Sequence, residues 1–106
     1  MTDRVRPEDL VKLYLKAQNL EQITRTDEAI VLYEEAVAGR FDAAGPYDRL
    51  IAIYKERDAH ADVRRIADAA LSHVRTFDDK KAWYEAIRDG AEEASQKHPD
   101  RRGAEF

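Results

Sequence analysis

From Ala29 to Tyr54 the chain reads AIVLYEEAVAGRFDAAGPYDRLIAIY, and this stretch decides the fold. Its apolar residues recur twice at helical spacing. Ala29, Ile30, Tyr33, Ala36 and Val37 form one stripe, and Tyr47, Leu50, Ile51 and Tyr54 form another. Gly39 sits where a helix would end, and Pro46 suits the first helical position, because its missing N–H has no partner there anyway. The spacing therefore predicts helices over Asp27 to Ala38 and Pro46 to Arg57. Neither segment alternates apolar and polar residues as a strand would.

Working outward, three more helices are expected. The first runs from Pro7 to Gln22, with Leu10, Leu13, Ala17 and Leu20 on one face and Val11, Tyr14 and Leu15 widening it. The fourth runs from His60 to Val74 through Val63, Ile66, Ala67, Ala70 and Leu71. The fifth runs from Asp79 to Lys97, with Trp83, Ala86, Ile87 and Ala94 as its apolar positions. Thr24 or Thr26 is expected to cap the second helix and Asp58 the fourth. Short loops between short helices make neighbours antiparallel, so the fold class is all-α, a stack of helix hairpins. Residues 1–98 read as one domain, and 99–106, beyond Pro99, as a flexible tail.

Composition removes whole classes. The 106 residues contain no cysteine, which excludes disulfides, thiol nucleophiles and cysteine-ligated metals. The chain is 43 % hydrophobic and its net charge is only -4, unlike a disordered chain, which is poor in apolar residues and strongly one-signed. It has no basic stripe for nucleic acid and no long apolar run for a membrane. The start, Met1-Thr2-Asp3-Arg4, lacks a hydrophobic signal segment, so a cytoplasmic location is expected.

The apolar positions superimpose under a shift of 34 residues. Leu13 falls on Tyr47, Ala17 on Ile51, Leu20 on Tyr54, Ala29 on Val63, Tyr33 on Ala67 and Ala36 on Ala70. On these residues the chain resembles the tetratricopeptide repeat family. Tyr47-x2-Leu50-Ile51-x2-Tyr54 is similar to the first helix of such a repeat, and Ala29-Ile30-x2-Tyr33-x2-Ala36-Val37 to the second. Trp83-x2-Ala86-Ile87-x2-Gly90 is similar to a further first helix, displaced by two residues. The opening Pro46-Tyr47-x-Arg49-Leu50 also resembles repeats of small bacterial proteins. Thr24 and Asp58 stand where the family has a loop glycine. The resemblance implies an α-α superhelix of about two repeats plus a C-terminal capping helix.

A search for chemistry finds none to build on. His60, His73 and His98 read as surface residues, and no Gly-x-Ser-x-Gly, phosphate-cradling loop or His-Glu-x-x-His occurs. Asp58, His60 and Asp62 alternate at a spacing that does not gather three ligands on one helix face, so no metal is expected. Glu34-Glu35, Asp78-Asp79 and Glu92-Glu93 are adjacent, hence about 100° apart on a helix, and read as solvated faces rather than acid–base pairs. No catalytic residue, cofactor or enzyme activity is expected.

The resemblance implies a groove lined by the first helix of each pair. Carried over by position, its lining is Tyr14, Gln18 and Glu21 on the first helix, and Asp48, Arg49, Ala52 and Lys55 on the third. The family's clamp for chaperone C-termini is absent, since those positions hold Tyr14, Gln18, Asp48 and Ala52. The leading expectation is a non-catalytic module that binds a protein or peptide partner through this groove. A self-associating structural unit, and a small acidic regulator that occludes a nuclease, toxin or transcription protein, are the alternatives.

Overall fold

The computed structural model describes residues 6–75 and 80–97. Among these the chain forms five helices and no strand: α1 (Pro7–Gln22), α2 (Thr26–Ala38), α3 (Gly45–Glu56), α4 (His60–His73) and α5 (Lys80–Lys97). The expected fifth-helix start at Asp79, the residue His98 and the expected tail at 99–106 lie outside the described residues. Pro7 and Pro46 stand in the first turns of α1 and α3, and acidic residues occupy the first turns of α1 to α4, where the helix dipole favours them.

The capping residues differ from the expectation. Arg25 and Ala59 hold the N-cap positions of α2 and α4, and Thr26 is already helical. Thr24 and Asp58 instead take left-handed backbone, with φ of 61° and 55°. The chain must reverse in three residues between α1 and α2, and again between α3 and α4. A left-handed residue after the last helical turn accomplishes this.

The 34-residue period is present in the backbone of these turns. The N–H of Thr24 donates to Glu21 C=O (3.0 Å), Arg25 to Leu20 (2.9 Å) and Ala29 to Arg25 (3.1 Å). Thirty-four residues on, Asp58 donates to Lys55 (3.1 Å), Ala59 to Tyr54 (2.9 Å) and Val63 to Ala59 (3.0 Å). Two turns with different side chains thus close through equivalent bonds.

Each helix packs chiefly on the next in the chain. The radius of gyration, 14.2 Å, exceeds the roughly 13 Å of an average globule this size, as a short stack should. Ala29, Tyr33 and Ala36 are fully buried, and so are Ala67 and Ala70 one period later; small residues let the helices approach closely. Tyr33 has no exposed surface. The α1 stripe is widened by Tyr14, which packs against the core, but not by Val11 and Leu15, which are 44 % and 51 % exposed; Leu10 and Ala17 are the buried residues of this helix.

The α5 stripe is also corrected. Tyr84 and Ala91 are buried, whereas Trp83 is 40 % exposed. Adjacent helical residues differ by about 100°, so only one of the two aromatics can face the core. Tyr84 wins because its ring fills the interior while its phenol reaches Asp48 on α3 at 2.8 Å. Trp83 is left at the edge, with the Lys80 ammonium 3.7 Å above its ring centre.

Candidate partner-binding face

Tyr14, Gln18 and Glu21 recur at spacings of four and three on α1, as do Asp48, Ala52 and Lys55 on α3, so each set shares a helix face. The two sets meet through Glu21 and Arg49. The Arg49 guanidinium donates Nε–H to Glu21 Oε1 at 3.1 Å and a second N–H to Oε2, a bidentate ion pair between α1 and α3. Tyr33 on α2 donates its phenol to the same carboxylate at 2.7 Å. Gln18, Glu21, Gln22, Tyr33 and Arg49 line one open depression of about 250 Å³.

Several of the seven residues are bound inside the protein. Gln18 donates to the Tyr14 phenol at 3.0 Å. Tyr14 is half-buried, its ring centre 6.1 Å from that of Tyr33 and 5.9 Å from that of Phe41, and a side chain at Gly45 would run into it. Tyr14 is thus a packing residue between α1 and the α2–α3 connection. Asp48 accepts from Tyr84 and pairs with Lys80 at 3.0 Å, tying α3 to α5. Ala52 and Lys55 are exposed, and neither carries a side-chain hydrogen bond or ion pair among the described residues.

A recurrent device emerges that sequence reasoning missed. Three buried tyrosines each donate to a carboxylate that also holds a cation: Tyr33 to Glu21 with Arg49, Tyr54 to Glu34 with Arg65, and Tyr84 to Asp48 with Lys80. Arg65 binds Glu34 through two N–H groups at 3.0 and 2.7 Å, joining α4 to α2. The hydrogen bonds from Arg49, opposed by burial and joined by the Tyr33 phenol, hold the Glu21 carboxyl below its ordinary value. Burial pulls Glu34 upward, but the bonds from Arg65 and Tyr54 together outweigh it, and its carboxyl also lies low. Burial, then the facing carboxylates, push the phenols of Tyr33, Tyr54 and Tyr84 well up. Glu34, read from its pairing with Glu35 as part of a solvated face, is instead held across to α4. The only sequence clue was that Glu34 directly follows the buried Tyr33.

His73 likewise departs from the surface reading. It is half-buried, with Nδ1 3.0 Å from the Tyr47 phenol oxygen. That phenol has one proton, which it gives to the Phe41 carbonyl at 2.6 Å, so His73 carries hydrogen on Nδ1 and donates. Burial, followed by repulsion from Arg40, lowers the imidazole below its ordinary value.

Among the described residues no group of three or more His, Cys, Asp or Glu side chains is arranged to hold a metal ion. No described helix is long and apolar enough to cross a membrane. Comparison of the chain with protein-family models, curated proteins and solved structures finds no significant match.

Proposed function

We propose that this protein is a non-catalytic interaction module of the tetratricopeptide-like kind, which binds a protein or peptide segment along the face shared by α1 and α3. The observation that carries this reading is the convergence of Gln18 and Glu21 on α1 with Arg49 on α3, 28 residues beyond Glu21, on one open depression. Glu21 and Arg49 neutralise one another there, so a partner is met by amide and guanidinium edges rather than by a strong net charge. Ala52 and Lys55 extend the face with side chains that owe nothing to the protein's interior.

The clean test avoids Tyr14, whose loss would disturb the core. Gln18→Lys combined with Ala52→Glu alters only the depression and the exposed α3 face. Affinity capture from native cells with the double variant is expected to lose the partner that the wild type recovers, at unchanged helicity by circular dichroism. Recovery of the same partner by both proteins overturns the reading. The self-associating alternative draws on Val11 and Leu15, exposed one turn apart on α1; a concentration-dependent mass in light scattering would favour it.

A further inference from the structure

A second hollow, of about 430 Å³, opens between the α3–α4 turn and α5. Its walls include Val63, Trp83, Ile87 and Gly90, and Lys55 and His60 stand on the α3–α4 side. The volume falls within the range of about 300–1,000 Å³ typical of binding pockets. At about 100° per residue, Ala86, Gly90, Trp83, Ala94 and Ile87 share one sector of α5 that contains no carboxylate. Two ion pairs of α5 lie elsewhere, Glu92 beside Arg64 and Arg88 beside Asp68, both toward α4.

One feature of this hollow costs stability with no structural return, and a second leaves apolar surface in water. Gly90 stands in the middle of an eighteen-residue helix, where glycine is inferior to alanine, yet a Cβ built there meets nothing within 4 Å. No close approach requires it. Trp83 leaves indole surface in water beside that gap. Among the described residues, Lys55 at the rim has no ion pair and no acidic side chain lines the hollow.

We infer that this hollow is a docking site for an acidic amphipathic helix of a partner protein, which inserts a large apolar side chain beside Trp83, Ile87 and Gly90 and sets a carboxylate against Lys55. The inference rests on the reading of the chain as an interaction module; the hollow shares Lys55 with the α1–α3 face but none of the residues lining the Gln18–Arg49 depression. Charge selects the partner: an apolar trough whose one formal charge among the described residues is a cation favours a segment that is apolar on one face and acidic at its margin. Gly90 keeps open the space that the apolar side chain fills.

The test is selection from a displayed library of random peptides against the full chain, with the emission of Trp83, the sole tryptophan, as the local reporter. Selected peptides are expected to carry large apolar residues at helical spacing with Asp or Glu beside them, and to shift the Trp83 emission to the blue. Gly90→Leu fills the trough from a position with free space and raises helix propensity, so it should fold at least as well as wild type. Binding to it, and to Lys55→Glu, should fall by about tenfold or more. The Gln18→Lys protein should retain full binding. Absence of any binder, binders without acidic residues, or binders indifferent to Gly90→Leu overturn the inference. Peptides that depend on Gln18 instead overturn it while leaving the α1–α3 reading standing. A dimer that buries Trp83 at working concentration also overturns it, since the occupant is then a second copy.

Discussion

Thr24 shows how a single backbone angle can work against its own side chain. Its φ of 61° lies in the left-handed region, which β-branched residues rarely adopt. Left-handed backbone costs an ordinary residue about 1–2 kcal/mol, whereas glycine pays roughly 0.5–1 kcal/mol of extra unfolded-state entropy. Thr24→Gly should therefore raise the urea midpoint slightly, by up to about 1 kcal/mol of stability. A lowered midpoint would show that the threonine side chain contributes more than the strain removes. The same position was readable in the sequence as a departure from a loop glycine. The departure was visible, and its left-handed conformation follows from the three-residue reversal it must complete.

At the scale of the element, α5 carries the sharpest contrast. Tyr84 is fully buried and bonded to Asp48, while its neighbour Trp83 lies at the edge. Replacing Tyr84 with alanine should cost about 3–5 kcal/mol, as for other buried aromatics, and Trp83→Ala clearly less. Thermal unfolding of the two variants measures this; equal losses would contradict the burial. The helices and their ends were largely legible because proline, glycine and apolar spacing mark them. The rotation of α5 was not, because Trp83-Ile87 and Tyr84-Ala91 both make plausible stripes. What separates them is the Asp48 carboxylate on another helix, and local periodicity contains no information about that. The candidate binding residues were legible to the same partial degree. Their helix faces followed from spacing, but the commitment of Asp48 to Tyr84 and of Glu21 to Tyr33 is tertiary.

Across the whole molecule, the tyrosine–carboxylate–cation ties link helices that do not follow one another in the chain, α1 to α3, α2 to α4 and α3 to α5. They make stability depend on pH in a stated direction. Glu21 and Glu34 have carboxyls lower in the folded protein than their ordinary 4.5, so the unfolded chain takes up protons first. Their contribution is complete above that value and lost as pH falls through the folded one. His73, lowered from 6.5 by burial, acts in the same sense: its unfolded form protonates first, so stability declines as pH drops below 6.5. The melting temperature should be highest above pH 6.5, ease downward beneath it and fall more steeply below 4.5. Glu34→Gln should flatten the steep limb, and a profile level from pH 7 to 3 would contradict the ties.

Packing that joins each helix mainly to its successor also bears on how the chain reaches this state. Contacts close over short spans, so little loop entropy must be lost before they form, and chains of this kind reach the native state in microseconds to milliseconds. An emerging polypeptide could assemble hairpin by hairpin, each completed pair serving as the template for the next, with no need to wait for a distant terminus.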